Sequence, residues 1–150
     1  MDYRGKPRDL RILAVGSFAS SNLVRDAILL RHRARLLVAT NYRELCSLSS
    51  NEAEHVSVAV LEVSTSHGEL LRKAEYVRRR WPDAPIVVVG SSAGPLEDPL
   101  YDDRVLPGIT PTEMLAIIER LLKQKQLAKR ARKDRIARGK SSGVADGLEA

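Results

Sequence analysis

One segment of the sequence, HVSVAVLEVSTSHGELL at residues 55–71, indicates both the fold and the place where a functional residue would lie. Its run of β-branched and aliphatic residues at 56–63 is typical of a buried strand. The run is interrupted near its end by a single carboxylate, Glu62, and small polar residues and a helical pattern follow. Because ligands of open α/β sheets bind beyond the carboxyl ends of the strands, Glu62 is a candidate functional residue.

The same alternation of apolar run and helical pattern extends through most of the chain. Apolar runs at residues 11–15, 36–39, 56–63, 86–89 and 104–106 predict five strands. The predicted helices begin after the polar residues 20–22, after Asn41, near Gly68 and after Thr110, with a short or frayed helix at 91–103. Apolar strands that alternate with helices are typical of a parallel sheet covered on both faces. We therefore predict a single α/β domain with a doubly wound, five-stranded parallel sheet, in which Ile12, Val60 and Val88 are buried in central strands.

Two of the predicted helices begin with capping signals. Asn41 is followed three residues later by Glu44, and Thr110 is followed by Glu113, with Pro111 at the first helical position. An N-cap side chain with a glutamate three positions later can form a capping box, and proline is favoured in the first turn. These patterns predict helix starts at residues 41 and 110.

The positive charge of the chain is concentrated in its C-terminal part. The 150 residues carry a net charge of +6, but residues 123–140 hold nine basic residues and one acid, so that segment alone carries +8. The residues predicted to bind a partner or a polyanion are Lys123, Lys125, Lys129, Arg130, Arg132, Lys133, Arg135 and Arg138. Such asymmetry indicates an appended interaction segment. We predict an N-terminal arm at 1–10, a domain at 11–122 and a helical or disordered basic tail at 123–150, with disorder favoured for 141–150.

Several classes of protein do not fit the composition. No stretch of about 18 consecutive apolar residues is present, and the N-terminus lacks the apolar region of a secretory signal. We therefore expect a cytoplasmic protein without membrane association. The single cysteine, Cys46, is predicted to be a small buried residue. The three histidines, His32, His55 and His67, lack ligand-type spacing, which favours surface or loop positions over a metal site.

The loops after the first and fourth predicted strands are rich in small residues. They read GSFASSN at 16–22 and VGSSAGP at 89–95, and their backbone amides could surround an anion. Neither loop has a Walker lysine or GxGxxG spacing, and the GxSxG motif of serine hydrolases is absent. The sequence therefore predicts no enzymatic activity.

The order of the predicted elements over residues 10–122 resembles the receiver domain of bacterial response regulators, the CheY-like variety of the flavodoxin-like fold. Two segments carry the resemblance most specifically. The segment VLPGITPTEMLAIIERLL at 105–122 is similar to the closing loop and helix of that family. The segment EYVRRRWPDAPIVVVGSSAG at 75–94 is similar to the passage from its third helix to its fourth strand.

In that family an aspartate at the end of the third strand is phosphorylated, with the help of an acidic pair that holds magnesium, a hydroxyl residue and a lysine. The resemblance places the phosphoacceptor at Glu62, the acidic pair at Gly16 and Ser17, the hydroxyl at Gly90 and the lysine at Leu106. Magnesium is usually held by one or two carboxylates together with phosphate and water. The resemblance therefore implies a degenerate receiver, or pseudo-receiver, in which the magnesium site is lost, no cofactor is bound and Glu62 is not phosphorylated.

Two roles for Glu62 are open at this point. Its fixed negative charge could imitate the phosphorylated, switched-on state. Alternatively, it accepts hydrogen bonds from groups at the strand ends, with Ser17, Ser64 and Ser91 as candidate donors. The switch aromatic of the family corresponds to Asp103.

The resemblance implies a stand-alone module that acts in signal transduction, in a two-component system or phosphorelay. It would bind a protein partner, or a second copy of itself, through the fourth helix, the fifth strand and the fifth helix. The alternative is a nucleic-acid-associated protein that binds non-specifically through its basic tail, where Leu127, Ala131 and Ile136 could continue the last helix. No aromatic side chain at 123–150 is available to stack on bases, and few bulky apolar residues back the charges, which argues against a membrane surface.

Overall fold

The structure is a computed structural model that describes residues 10–31, 34–51, 53–63, 67–90, 101–106 and 108–149. The elements within these residues are β1 (Leu10–Val15), α1 (Phe18–Leu29), β2 (Ala34–Ala39), α2 (Tyr42–Cys46), β3 (Val58–Glu62), α3 (His67–Arg80), β4 (Ile86–Val89), β5 (Asp103–Val105) and α4 (Pro111–Glu149). The predicted fourth helix lies mostly outside the described residues, so the predicted fifth helix is α4. Each of the five predicted strands is present.

All five strands are parallel and form one sheet in the order β2-β1-β3-β4-β5. The three central strands are apolar except for Arg11 in β1 and Glu62 at the end of β3, because helices cover both faces of the sheet. Ile12, Val60 and Val88, which the sequence places in these strands, each have 0% exposed area. The predicted doubly wound α/β fold is confirmed.

The alternation of side chains along each strand divides the core into two layers. Leu13 and Leu61 lie on one face of the sheet, in a cluster with residues of α2 and α3. Ile12 and Val60 lie on the opposite face, in a cluster with residues of α1 and α4. Successive residues of a strand point to opposite faces, so a continuous apolar run supplies both layers at once.

Both predicted capping signals form hydrogen bonds at helix starts. At α4, Glu113 N donates to Thr110 Oγ1 at 3.1 Å and Thr110 N donates to Glu113 Oε1 at 2.9 Å. At α2, Glu44 N donates to Asn41 Oδ1 at 2.9 Å, while the Glu44 carboxylate reaches one residue further back and accepts from N and Oγ1 of Thr40. The backbone hydrogen bonds, aided by those of the threonine side chains, lower the pKa of both glutamates below the usual 4.5.

The start of α1 differs from the prediction. The helix begins at Phe18 with Ser17 as its N-cap, before the polar residues 20–22 that the sequence offers as caps. Ser17 makes no capping hydrogen bond with its side chain. Its hydroxyl donates to Glu62 instead, so the N-cap side chain of this helix bonds a residue that is distant in the chain.

Two further predictions are wrong. Cys46 is exposed, not buried, because α2 has only five residues and Leu45 takes the inward position, so that the next side chain points away. Residues 141–149 are part of α4 and not disordered. Extending an existing helix requires far less ordering per hydrogen bond than starting one, and this segment follows a long helix directly.

The last helix continues beyond the sheet. Met114, Ile118 and Leu121 of α4 are buried against the body, whereas the side chains of residues 123–137, with the exception of Lys125, are exposed. Across the described part of the chain, no helix combines the length and the low charge needed to cross a membrane. The tail is therefore a charged helical extension of the last element of the domain.

Candidate functional site

Glu62 is the last residue of β3, and its carboxylate is bound by the residue that follows the turn after β1. Ser17 N donates to Glu62 Oε1 at 2.6 Å, and Ser17 Oγ donates to Glu62 Oε2 at 2.7 Å. The two residues meet because β1 and β3 are neighbours, with Val15 paired to Leu61, so both strands end at the same level. The predicted hydrogen bond from Ser17 is confirmed, and both carboxylate oxygens take part in joining the two strand ends.

Gly16, between β1 and Ser17, makes this contact possible. Its φ of 148° lies in the region that favours glycine, and its N–H donates to Ala39 O of β2 at 2.9 Å. A Cβ atom at this residue would lie 2.5 Å from Glu62 Cβ and 2.9 Å from Glu62 Oε1. Both separations are shorter than real Cβ contacts. The position that the resemblance assigns to the first metal-holding acid therefore has no space for a side chain.

Gly90 and Leu106 hold the positions that the resemblance assigns to the hydroxyl residue and the lysine. Gly90 follows β4, where a Cβ atom would lie 2.2 Å from Val63 Cγ2, and its N–H donates to Val105 O at 3.0 Å. Leu106 follows β5 and is 63% exposed. Three residues that the sequence analysis names, His32, Ser64 and Ser91, lie outside the described residues.

At the carboxyl edge of the sheet, the interaction between site residues is the hydrogen bonding of Ser17 to the Glu62 carboxylate. Within the ranges that the structure describes, no group of three or more histidine, cysteine, aspartate and glutamate side chains could hold a metal ion. His55 lies at the opposite edge of the sheet, with Nε2 at 3.3 Å from Ser57 Oγ. Of the predicted site residues, Gly16, Ser17 and Glu62 are in direct contact.

Two ion pairs that attach β5 to the helices were not predicted from the sequence. Arg78 of α3 pairs with Asp102 at 2.9 Å, and the same carboxylate accepts from Ile86 N at 2.8 Å. Arg120 of α4 pairs with Asp103, the residue that corresponds to the switch aromatic. The partners are 24 and 17 residues apart, so no local sequence pattern reveals them.

The basic residues of the tail lie on the exposed extension of α4. Six of them are exposed: Lys123, Lys129, Arg130, Arg132, Lys133 and Arg135. Lys125 is partly buried, and Leu127 and Ile136 are each 54% exposed. At 3.6 residues per turn, the six exposed cations are distributed around the helix and not confined to one side. The extension is therefore a positively charged rod and not an amphipathic recognition helix.

Several solved structures that are similar to this chain are response-regulator receivers. A CheY-like response regulator receiver domain protein from Methanospirillum hungatei JF-1 matches with a TM-score of 0.66 and 16% identity, over 80% of this chain and 98% of that chain. A response regulator from Thermotoga maritima matches with a TM-score of 0.62 and 15% identity, over 77% and 98%. A chemotaxis response regulator of Vibrio cholerae matches with a TM-score of 0.60 and 15% identity, over 75% and 98%. No protein-family model and no curated protein matches the sequence. The chain therefore has the fold of the CheY-like receiver domain of response regulators.

Proposed function

We propose that this chain is a receiver-like signalling module that binds a protein partner in the cytoplasm, and that it is neither an enzyme nor phosphorylated at Glu62. The observation that supports this most directly is the pair of hydrogen bonds from Ser17 to both carboxylate oxygens of Glu62. The proposal also draws on Gly16, where a side chain would overlap Glu62. In this proposal Glu62 links two strand ends instead of accepting a phosphoryl group.

The chemistry of phosphoryl transfer explains why the altered positions matter. Charge on the transferring group has to be neutralised by metal ions and cationic side chains. Magnesium needs carboxylate, phosphate and water oxygens in octahedral geometry, and Gly16 and Ser17 supply no carboxylate. Leu106 supplies no ammonium group. A phosphoryl group beside Glu62 would therefore lack counter-charge, so the proposed module binds no magnesium and needs no cofactor.

Labelling with a small phosphodonor tests this proposal. The protein is incubated with acetyl phosphate and magnesium, beside a phosphorylatable receiver domain as positive control, and intact-protein mass spectrometry detects any added phosphoryl group. We expect none on the native chain and none on Glu62→Asp, because that variant supplies the usual acceptor without the metal ligands or the lysine. An acyl phosphate on Glu62 would contradict the proposal, and labelling of Glu62→Asp would show that the pocket still binds magnesium.

The partner surface that we favour is formed by β5 and the side of α4 that faces it. Arg120 and Asp103 form an ion pair across this surface, with side chains that are 55% and 27% exposed. A photo-crosslinking amino acid at Gln124, one turn beyond Arg120 on the same helix, should capture the partner from a native extract. The same amino acid at exposed Arg25 of α1 is the control. A cross-linked product of twice the mass of the chain would identify a second copy as the partner.

A second candidate function, non-specific binding of nucleic acid, is supported by the exposed cations of α4. Binding of unrelated DNA duplexes is measured across a salt titration, with the full chain and with a chain lacking residues 123–150. If the tail binds phosphates, the logarithm of affinity falls linearly with the logarithm of salt concentration, with a slope of about −0.9 per phosphate contact, and the base sequence matters little. If the tail serves a protein partner, as we favour, duplex binding near physiological salt is negligible. Sequence-selective binding that survives high salt would contradict both functions.

A further inference from the structure

A cleft of about 540 Å³ lies at the amino edge of the sheet, the edge opposite Glu62. Its floor includes Leu10, the first residue of β1, and Ser57, which directly precedes β3. Its wall is the part of α4 that continues past the sheet, with Lys123, Lys125 and Lys129. The charged extension of the helix and the body of the domain therefore enclose one concave surface between them.

Two of the three lysines, Lys125 and Lys129, lie in line with the side chains of α4 that face the sheet. Ile118 and Leu121 are two of those side chains and are buried against the sheet. The next positions in register, four residues apart, are Lys125 and Lys129, at the level where the sheet ends. Side chains four residues apart on a helix lie about 6 Å apart on the same face. Two ammonium groups are therefore placed side by side where an extended core would have two apolar residues.

The charges around the cleft are not balanced. Its lining includes four cationic side chains and one carboxylate, Glu119. That carboxylate is already paired with Arg31 at 3.0 Å, so it does not neutralise the three lysines. A second cleft of about 240 Å³ shares His55, Lys125 and Lys129 with the first and has two carboxylates, Glu54 and Asp83, in its own lining. The excess of cations is therefore a property of the first cleft.

Lys125 is partly buried and lies near other charged side chains. Burial lowers the pKa of its ammonium group; Asp83 and Asp102 act in the opposite direction, and Lys129 lowers it further. A partly desolvated cation beside a second cation is a costly arrangement. An anion bound beside Lys125 and Lys129 would offset that cost, because its oxygens would replace the hydration that the Lys125 ammonium group has lost.

We propose that this cleft binds a small phosphorylated ligand with at least two phosphoryl groups. Ligand sites commonly have volumes of about 300–1,000 Å³, and this cleft is in that range. Two neighbouring ammonium groups suit two linked phosphoryl groups better than one. The Ser57 hydroxyl, which accepts from Arg11 N at 3.1 Å and lies 3.3 Å from His55 Nε2, lies in the same lining. This proposal is independent of the function proposed above, since it concerns the opposite edge of the sheet.

Calorimetric titration of the full chain with inorganic pyrophosphate tests the proposal, with orthophosphate as the comparison. The measurements are made near physiological ionic strength, so that attraction to distant surface charges is screened. We expect pyrophosphate to bind at one site per chain, at least about tenfold more tightly than orthophosphate, because a second charge-assisted contact forms. Lys125→Gln should weaken binding about tenfold, and Lys129→Gln should have an effect of the same size.

The matched control is Lys133→Gln, which removes the same charge from an exposed position of the same helix, outside the cleft. It should change the affinity by less than about twofold. An equal loss with Lys125→Gln and Lys133→Gln would overturn the proposal, since it would show attraction to the tail as a whole. The absence of saturable binding of pyrophosphate at millimolar concentration would also overturn it.

Histidine ring resonances give a second readout that does not depend on the variants. The chain has three histidines, and His55 lines the cleft whereas His67 begins α3 at the other edge of the sheet. Pyrophosphate should shift the ring signals of His55 in a saturable way. The absence of a saturable shift at His55 would contradict a site in this cleft.

Discussion

Gly16 and Glu62 depend on each other at the level of single residues. The side chain of Glu62 occupies the space that a Cβ atom at Gly16 would need, and its carboxylate binds the next residue, Ser17. A glutamate in this place is one methylene longer than an aspartate, which lets it reach across the end of β1. Gly16, Ser17 and Glu62 therefore form one local arrangement at the ends of β1 and β3.

A comparison of two glycine substitutions tests this dependence. Gly16→Ala should destabilise the domain by about 3–5 kcal/mol, because it combines a strained φ with steric overlap. Gly108→Ala is the matched control, since Gly108 also has a positive φ, of 94°, but its Cβ would meet nothing within 4 Å. It should cost only about 1–2 kcal/mol. Equal shifts of the two urea midpoints would mean that the contact with Glu62 is not tight.

Among the elements, the strands differ in how completely they are enclosed. The central strands β1, β3 and β4 have neighbours on both sides and helices on both faces, whereas β2 and β5 are edges. Val88 in β4 has 0% exposed area, and Val38 in β2 has 37%. The contribution of an apolar residue to the free energy of unfolding therefore depends on whether it lies in a central strand or an edge strand.

Truncation of an apolar side chain should therefore destabilise the domain more in a central strand than in an edge strand. Substitution of Ile12, Val60 or Val88 by alanine should cost on the order of 2–4 kcal/mol, because each leaves a cavity in a fully buried position. Val38→Ala removes the same atoms as Val88→Ala from a partly exposed position and should cost less than about 1 kcal/mol. Chemical denaturation measures both. Unchanged midpoints for all three buried sites would contradict the role of these strands.

The start of α4 should make stability depend on pH. The folded-state pKa of Glu113 is below 4.5, because its carboxylate accepts from Thr110 N and interacts with the Thr110 hydroxyl. Its contribution is therefore complete above pH 4.5 and is lost as pH falls through the lower folded value. Glu113→Gln should be less stable than the native chain at neutral pH, and the difference in urea midpoint should shrink at about pH 3. If the difference in urea midpoint persists at about pH 3, the substitution acts through packing and not through the charge of Glu113.

At the scale of the whole molecule, the two edges of the sheet differ in the charged side chains that they carry. At the carboxyl edge, Ser17 donates two hydrogen bonds to the Glu62 carboxylate. At the amino edge, α4 leaves the body and brings lysines against the ends of the strands. The acidic and basic features are therefore on opposite sides of the molecule, and variants at one edge can be studied without altering the other.

Removal of residues 123–150 tests whether the domain is independent of its tail. The apolar side chains of α4 that pack on the body end at Leu122, and of the residues at 123–137 only Lys125 is partly buried. We expect a chain that ends at Leu122 to unfold cooperatively, with a free energy of unfolding within about 1 kcal/mol of the full chain. Circular dichroism during urea denaturation measures this. Loss of the cooperative transition would place the domain boundary further along α4.

Much of the architecture follows from local patterns in the sequence. Continuous apolar runs predicted the five strands and the burial of Ile12, Val60 and Val88, because burial on both faces requires apolar side chains at every position. The Thr110 and Glu113 pair predicted the start of α4, because capping hydrogen bonds join residues three apart. The departures at Gly16, Ser17, Gly90 and Leu106 were also visible, since each is a matter of residue type at one position.

Other features depend on contacts between residues that are distant in the chain. The bonds between Ser17 and Glu62 join residues 45 positions apart, and they exist because β1 and β3 are neighbours that end together. That contact also takes the Ser17 hydroxyl away from capping α1. The basic cleft arises because α4 passes the amino edge of the sheet in a register that places Lys125 and Lys129 along the cleft. Local patterns specify hydrogen bonds and burial within an element, whereas strand order and helix register decide which elements meet.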